Sequence, residues 1–442
     1  MVGTRSTQSA IISLVSASAL VGLTACIDPV AVDPPDDCST NSQNAYVLEV
    51  MKHAYLWNHE VPDLDPAAYD EPADILADLR FKEFDRWSRV ADKVTSDALF
   101  EEGKFIGYGF NHVRDAAGRI RISFVYDDSP ASAIGLRRGD EIVSINDFSI
   151  AQIDADNLWG DMFGPNEPGV EIAMEVDDPA GSGTRAVALT KDWISMVTVP
   201  ITKVVEADGK KIGYLYFSSF VDTAIPELDE AVANLRQEGI DELVVDLRYN
   251  GGGRLSVARH LASLIAGRAG DDREIVYKVE YNDDLAGENE SYKLEKLAHA
   301  LWVDRVYFIT TNRTLSASEL VINAVAPYVE TKIIGATTGG KPVGMRSFDF
   351  CDKILFPITF RLVNAAGVTD YFDGLSPACE TRDDLDNQLG DPVEGSFAGA
   401  VSMITSGSCP TLGGDPGAGA PLPGTVDHPF LSDPLRATIG AW

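Results

Sequence analysis

Strand-like and helix-like segments alternate through the second half of this 442-residue chain, and this alternation limits the fold more than any other feature. Residues 211–217 and 242–247 are short apolar runs typical of buried strands, and residues 225–238 between them have apolar positions at helical spacing. A second helix is predicted from about 255 to 266, and the alternation resumes between 306 and 341. We therefore predict an α/β domain with largely parallel strands.

Two polar motifs follow strands of this predicted sheet. Ser316 lies in a Thr-Leu-Ser-Ala-Ser-Glu motif after residues 306–310, and Lys341 lies in a Thr-Gly-Gly-Lys-Pro motif after residues 332–334. Side chains that sit just past neighbouring strand ends can converge on one point. A serine hydroxyl is inert until an adjacent base takes its proton, so we interpret the pair as nucleophile and base.

Each of these two residues also has a purely structural interpretation. Ser316 and Glu319 form the pattern of a helix capping box, in which each side chain bonds a free backbone amide of the first turn. Lys341 could be a solvated surface charge in a glycine-rich turn. To act as a base near neutral pH, its pKa would have to fall by roughly three units, which requires burial.

A glycine-rich turn follows the apolar run 242–247. Asn250 is followed by three glycines, Gly251, Gly252 and Gly253, and then by a predicted helix. Without side chains, such a backbone can lie close to a substrate and present amide groups toward developing negative charge. A plain strand-to-helix turn and a phosphate cradle are the alternatives, and the Lys-Ser/Thr ending of a phosphate loop is absent from the sequence.

Residues 103–191 resemble a PDZ domain. The resemblance comes from Ser-Pro-Ala at 129–131, the Arg-Gly-Asp-Glu-Ile run that begins at 138, and a glycine-hydrophobe-glycine turn formed by Gly107, Tyr108, Gly109 and Phe110. In PDZ domains this turn holds the terminal carboxylate of a peptide, which then adds as a strand to the sheet edge. A PDZ fold that only packs on its neighbour is the alternative.

Together these motifs resemble the C-terminal processing (tail-specific) serine peptidases, in which the lysine follows the serine by 25 residues, as it does here. The resemblance implies a crotonase-like ββα core with a preceding or inserted PDZ domain and a small N-terminal helical domain. It implies a Ser/Lys dyad with Ser316 as nucleophile and Lys341 as base. The Ala317 amide, with that of Gly251 or Gly252, would form the oxyanion hole, and Glu319 matches a carboxylate near the dyad.

The chain departs from that family beside the lysine. Many members have glutamine four residues after the lysine, where it helps to orient the amine, and here the residue is Met345. Pro342 replaces the usual glycine after the lysine. Either change could mean a different orienting group, with Glu319 as one candidate, or reduced activity.

The N-terminus resembles a bacterial lipoprotein signal. Residues 10–23 are apolar but too short for a convincing membrane span, and Leu-Thr-Ala precedes Cys26, the candidate lipidation site. An ordinary signal peptide with a chance cysteine is the alternative. In a Gram-negative cell, Ile27 in place of aspartate favours the periplasmic face of the outer membrane over the inner membrane. With 36 basic and 68 acidic residues the net charge is −32, which argues against nucleic acid as a partner.

Four further cysteines, in a chain that we expect to be exported, predict up to two disulfides. We favour a Cys351–Cys379 pair, because both residues flank one candidate hairpin region, and this leaves Cys38 for Cys409. No Cys-x-x-Cys motif is present, so zinc and redox roles are not expected, and we predict no cofactor.

The predicted organisation is a signal peptide followed by five regions. Residues 45–99 have a mainly helical pattern, with Trp57, Phe84 and Trp87 as expected core residues. The predicted boundaries are 1–25 for the signal peptide, 26–43 for a tether, 44–102 for the helical region, 103–191 for the PDZ domain, 194–409 for the protease core and 410–442 for a Gly/Pro-rich tail.

The favoured function is a lipid-anchored serine endopeptidase of the cell envelope that cleaves proteins, with recognition of C-terminal segments through the PDZ domain. The alternative is a catalytically weak scaffold on the same fold that binds peptides or apolar ligands. A Ser/His/Asp hydrolase comes third, with His260, on the helix after the triple glycine, as the only histidine near the motifs.

Overall fold

The structure is a computed structural model, and it describes residues 28–179, 181, 183–267, 274–301 and 303–410. The predicted signal peptide, Cys26 and all but the first residue of the predicted tail 410–442 lie outside these residues. In the described part of the chain, no helix is both long and apolar enough to cross a membrane.

The N-terminal unit contains three α-helices, two short 3₁₀ helices (Asn58–Glu60 and Pro66–Ala68) and one strand: α1 (Thr40–Ala54), α2 (Pro72–Leu79), β1 (Arg89–Asp92) and α3 (Lys93–Glu102). Trp87 is buried in its core, and the partly buried Trp57 and Phe84 stack on each other at 6.1 Å. The helical pattern did not reveal β1, which pairs antiparallel with the core strand Lys353–Phe356. That pairing attaches the N-terminal unit to the rest of the molecule.

The PDZ-like unit is mainly antiparallel. Its elements are β2 (Lys104–Gly107), β3 (Phe110–Arg114), β4 (Ile120–Val125), α4 (Pro130–Ala133), β5 (Glu141–Ile145), β6 (Phe148–Ser149), α5 (Ile150–Ala155), α6 (Trp159–Phe163), β7 (Glu171–Asp178), β8 (Gly183–Thr190) and β9 (Asp192–Ser195). The main sheet has the order β3-β4-β5-β7-β8, and β6 pairs with β5. Strand β3 is therefore an edge strand.

The largest unit contains the remaining strands and helices. These are β10 (Ile201–Ala207), β11 (Lys210–Tyr216), α7 (Ala224–Glu238), β12 (Glu242–Asp246), α8 (Leu255–Ala266), β13 (Ile275–Tyr281), β14 (Glu290–Lys293), β15 (Arg305–Thr310), α9 (Ala317–Val325), β16 (Glu330–Gly335), β17 (Val343–Met345), β18 (Phe348–Phe350), β19 (Lys353–Phe356), β20 (Ile358–Asn364), β21 (Cys379–Glu380) and α10 (Gly395–Ser406). Its central sheet has the order β10-β11-β12-β15-β16-β21. Only the β10–β11 pair is antiparallel, so the predicted largely parallel α/β sheet is confirmed.

Both faces of the central sheet are buried, which explains the continuous apolar strands. Val245 and Phe308 pack in one core with helices α7, α8 and α9, whereas their neighbours Val244 and Tyr307 pack in a second core with α10. Two smaller sheets, β14-β13-β20-β17 and β1-β19-β18, stand beside the central sheet. The turn that contains Lys341, residues 336–342, is called the lysine turn below. It runs between β16 of the central sheet and β17 of a smaller sheet.

Helix α9, which follows Ser316, is shorter than the sequence pattern predicts. The apolar spacing suggests a helix to about residue 328, but α9 ends at Val325. Pro327 explains the early end, because a proline lacks the backbone N–H that would continue the helical hydrogen bonds and its ring clashes with the carbonyl four residues before it, although Ala326 keeps helical backbone angles.

The predicted disulfide pairing is wrong. All four cysteines are paired, but the bonds join Cys38 to Cys351 and Cys379 to Cys409. Sequence proximity to one hairpin misled the prediction, because Cys379 lies on β21 of the central sheet. Cys351 lies in the β18–β19 turn, and that sheet includes β1 of the N-terminal unit. A disulfide requires Cα atoms within about 7 Å, and only the tertiary fold determines which cysteines meet that condition.

Candidate active site

Ser316 occupies a strained position at the start of a helix. The chain leaves β15, turns, and enters α9 with Ser316 as the residue just before the helix. Its φ of 54° and ψ of −114° lie in a region that favours glycine. A non-glycine residue in such a region costs of order 1–3 kcal/mol, and such residues cluster at active sites. A sharp turn between a strand and a helix is also the setting of the nucleophile elbow in other hydrolases.

Lys341 is buried, with 2% of its surface exposed. Burial and, to a lesser extent, the positive charge of Arg89 lower the pKa of this lysine to about 7, against the opposing effect of Asp85 and Glu319. Nζ lies 5.7 Å from the centroid of the Trp87 ring. The condition for a general base near neutral pH, a lysine removed from water, is therefore met.

The Glu319 side chain connects the serine motif to the lysine motif. Its Oε2 accepts the backbone N–H groups of Ser316, at 2.9 Å, and Lys341, at 2.8 Å. Its Oε1 accepts the Gly340 N–H at 2.8 Å and the Thr338 hydroxyl. Burial raises the pKa of Glu319, while these donors oppose that rise. The capping and catalytic interpretations thus coexist, because the bond to the Ser316 amide is half of a capping box and also aligns the two motifs.

The glycine turn, residues 250–253, lies directly against Ser316. A Cβ on Gly252 would come within 2.9 Å of both the Ala317 nitrogen and the Ser316 Cβ, so only glycine fits this position, where φ is 102°. The Gly252 N–H donates to Asn250 Oδ1 at 2.9 Å. Because that bond occupies the Gly252 amide, Gly251 is the better candidate to act with Ala317 as an oxyanion donor.

Asn250 joins this turn to residues 313–318 around Ser316, called the serine segment below. The sequence did not predict this role. Its carbonyl accepts the Leu315 N–H at 3.2 Å and the Ser318 hydroxyl at 2.9 Å, and its side-chain amide donates to the Phe217 carbonyl at 3.0 Å. Asparagine directly before the three glycines was the available signal. It indicated a turn but did not identify its partners.

Buried charges surround the residues that lead into the glycine turn. Arg248, which is fully buried, pairs with Asp246 at 2.7 Å and with Glu394 at 2.7 Å. Arg138 of the PDZ-like unit donates to the Tyr249 hydroxyl at 2.6 Å and pairs with Asp383 at 2.7 Å. The PDZ-like unit therefore contacts the segment that immediately precedes the candidate oxyanion donors. Nothing in the local sequence pattern indicated this contact.

The candidate carboxylate-binding turn Gly107, Tyr108, Gly109 and Phe110 connects β2 to the edge strand β3. The Tyr108 ring is fully buried, so only the backbone of this residue can face a peptide. Arg313, three residues before the candidate nucleophile, donates to the His112 carbonyl on β3 at 3.0 Å. A residue of the serine segment thus touches the strand on which a peptide would add.

His260 does not join the site. Its Nε2 lies 2.8 Å from Asp229 and its Nδ1 lies 3.0 Å from Glu295. Both ring nitrogens are therefore used in contacts between α8 and its neighbours, which agrees with a packing role and gives no support to a Ser/His/Asp arrangement.

A half-open cavity of about 300 Å³ adjoins the lysine turn. Pro342 and Val343 form one side of it, and Trp57 and Phe372 line it with aromatic surface. The cavity lies between the N-terminal unit and the largest unit, so both units shape the space beside Pro342 and Val343.

Comparison with known proteins identifies three regions. Residues 211–377 match the model of peptidase family S41, residues 42–89 match the S41 N-terminal domain, and residues 99–176 match the PDZ domain. A carboxyl-terminal-processing protease of Picosynechococcus sp. is 26% identical over 324 residues, which cover 71% of this chain and 74% of that protein.

Solved structures share the fold. The crystal structure of a Bacteroides fragilis protein assigned to the S41 proteases aligns with a TM-score of 0.67 at 24% identity, over 82% of this chain and 97% of that one. The photosystem II D1 C-terminal processing protease aligns with a TM-score of 0.52 at 20% identity, over 84% of this chain and 98% of that one.

Proposed function

Because this chain belongs to peptidase family S41 and is a serine-type peptidase with an S41 N-terminal domain and a PDZ domain, we propose that it cleaves proteins with a Ser316/Lys341 dyad. The observation that carries this proposal is the bridge through Glu319. One buried carboxylate accepts the backbone N–H of the strained serine and that of the buried lysine. A purely structural serine and a solvated lysine would not require this arrangement.

The proposed mechanism uses groups of this chain alone. The neutral Lys341 amine takes the proton of the Ser316 hydroxyl as Oγ attacks the scissile carbonyl carbon. The Ala317 and Gly251 N–H groups stabilise the oxyanion that forms. The Lys341 ammonium then protonates the leaving amine as the C–N bond breaks, which leaves an acyl ester on Ser316. Water, deprotonated by the same amine, hydrolyses the ester and regenerates the serine.

We propose that substrates are recognised by their C-terminal segments. A peptide would add as a further strand along the open edge of β3, with its terminal carboxylate at the turn Gly107–Phe110. Main-chain bonds provide affinity in this mode, so the site would accept varied tails. The contact between Arg313 and the His112 carbonyl supports communication between this edge and the serine segment.

The proposed location is the cell envelope, with lipid attached at Cys26 and the catalytic domain facing the periplasm. Two disulfides within the described residues support export, because disulfides persist in oxidising compartments. The Leu-Thr-Ala-Cys sequence at 23–26 supports the lipid anchor.

Digestion of a defined peptide set, read by mass spectrometry, tests the proposal. We expect the purified protein to cleave peptides and the Ser316→Ala variant to lose at least roughly 10⁴-fold in kcat, because the nucleophile is removed. Ser406→Ala, on the exposed end of α10, is the matched control and should cleave at the wild-type rate.

Two outcomes would contradict the proposal. Equal cleavage by Ser316→Ala and wild type would exclude this serine as nucleophile. Peptide binding without cleavage by the wild-type protein would favour the alternative, a binding scaffold on a peptidase fold.

A further inference from the structure

We propose that Met345 and Arg89 together position Lys341 and keep its amine available as a base, in place of the glutamine that many family members carry at position 345. This inference rests on the proposed Ser316/Lys341 dyad. It concerns how this chain compensates for its departure from the family pattern.

The geometry of Met345 places its sulfur next to the amine. Met345 ends β17, which pairs antiparallel with β20, and the register shifts between Gly344 and Met345. Such a bulge re-aims the side chain that follows it. As a result, Met345 Sδ lies 3.6 Å from Lys341 Nζ and 3.6 Å from an Nη of Arg89. One thioether therefore contacts two basic side chains.

The chemistry of a thioether suits a lysine that must act as a base. Methionine sulfur is a weak acceptor and has no proton to donate. It can fix one N–H of the amine, but it cannot donate to the nitrogen lone pair, which stays available for the Ser316 proton. A glutamine amide oxygen is a stronger acceptor and would stabilise the ammonium form more than sulfur does. Methionine therefore orients Nζ while stabilising the ammonium form less than glutamine would.

Arg89 adds a like charge at a defined position. Residue 89 begins β1 and pairs with Phe356 of β19, and the guanidinium lies 4.5 Å from the centroid of the Phe356 ring. A neighbouring positive charge disfavours protonation of a lysine. Because β1 belongs to the N-terminal unit, this unit contributes directly to the environment of the base.

The other charged groups around Lys341 are already committed. Asp85, which favours the ammonium, accepts the Tyr55 hydroxyl at 2.7 Å and the Trp87 and Ser88 amides at 2.9 Å. Glu319 bonds backbone donors of its own and neighbouring turns. The nearby Arg86 donates to the Gly339 carbonyl at 3.2 Å. Met345 Sδ contacts Nζ directly, and Arg89 contacts the same sulfur.

The pH dependence of kcat/KM tests the role of Arg89. Arg89→Leu removes the like charge, so we expect the acid limb of the profile to move to higher pH by about one unit. Arg89→Lys keeps the charge and should leave the limb close to its wild-type position. Arg119→Leu removes a cation from an exposed pair of the PDZ-like unit and is the matched control. An unmoved limb in Arg89→Leu would overturn the proposal.

The role of Met345 is tested by two replacements. Met345→Leu conserves volume but has no acceptor, so we expect kcat to fall roughly tenfold or more, from misplacement of the amine, with KM unchanged. Met345→Gln should keep kcat within a few-fold and move the acid limb to higher pH. Equal kcat in Met345→Leu and wild type would show that the sulfur positions nothing.

A measurement without catalysis separates this inference from the proposed dyad. In the Ser316→Ala background, the titration of Lys341 can be followed by ¹³C NMR of labelled lysine, with its signal assigned by its loss in Lys341→Met. We expect the pKa of Lys341 near 7 to rise in Arg89→Leu and not in Arg89→Lys. This result would stand even if Ser316→Ala proved fully active, whereas an identical titration in both variants would overturn the role of Arg89.

Discussion

At the residue scale, Glu319 holds the candidate site together. Both oxygens of its carboxylate accept two donors, and these donors come from the serine motif and from the lysine turn. Because the side chain is fully buried, water cannot replace any donor that loses its partner. Glu319 therefore links Ser316 to Lys341 through one acceptor, beside the backbone bond from the Gly339 N–H to the Thr314 carbonyl at 2.9 Å.

We predict that Glu319→Gln lowers both activity and stability. Wherever the new NH2 group points, it faces two donors, and each unsatisfied buried donor costs roughly 1–3 kcal/mol. We expect kcat to fall by roughly 10- to 100-fold and the thermal midpoint to drop. Glu330→Gln, an exposed change at the start of β16, serves as control. Unchanged kcat and midpoint in Glu319→Gln would show that the bridge does not align the site.

The sequence predicted some of these residues and could not predict others. Ser316, Lys341 and Glu319 carry recognisable motifs at a recognisable spacing. Arg89 lies far from Lys341 along the chain, and no local pattern connects them. The burial of Lys341, which lowers its pKa, also required the tertiary structure, since glycine-rich turns are usually exposed.

At the scale of single elements, the edge strand β3 is already occupied at one point. Ile122, opposite His112, exchanges backbone bonds with Gly139 and Asp140 on its other side. The His112 carbonyl therefore points toward the open edge, where Arg313 donates to it. A peptide that adds to this edge would have to displace Arg313.

We predict that Arg313→Ala tightens peptide binding. A hydrogen bond from a charged group contributes about 1.5–3 kcal/mol, so removing this competitor should lower Kd by roughly tenfold or more. Fluorescence anisotropy of a labelled peptide with a free C-terminus, in the Ser316→Ala background, measures the effect. Arg119→Ala is the control. Weaker or unchanged binding would mean that peptides do not use this edge.

Elements with strong periodicity were predictable, and elements defined by distant partners were not. Helix α8 spans the predicted residues 255–266, because its apolar face repeats at helical spacing. Strand β1 has four residues, no alternation in burial and a partner more than 250 residues away. This strand forms because it pairs with β19, and the periodicity of the local sequence gives no information about that partner.

At the scale of the whole molecule, three units contribute to one site. The largest unit supplies Ser316, Lys341 and the glycine turn. The N-terminal unit supplies Trp87 and Arg89 next to the Lys341 amine. The PDZ-like unit contacts the segment before the glycine turn through Arg138 and Tyr249. Removal of either accessory unit would therefore alter the environment of the proposed dyad.

The covalent links show why the organisation of the molecule was only partly predictable. Cys38 and Cys351 are separated by 313 residues, and their bond joins the segment before α1 to the β18–β19 turn. The number of cysteines predicted two disulfides, but their pairing depends on how the units dock. The parallel sheet, in contrast, followed from the order of strands and helices alone.

The central claim, that Ser316 is activated by a neutral Lys341, is tested most directly by the rate at which a fluorophosphonate probe labels the protein at different pH values. Mass spectrometry should locate the adduct on Ser316. Because the pKa of Lys341 is lowered to about 7, the amine is neutral above that pH, and the labelling rate should rise through pH 7 to a plateau. Folded Lys341→Met protein should not be labelled. An adduct elsewhere, or labelling of Lys341→Met at the wild-type rate, would contradict the claim.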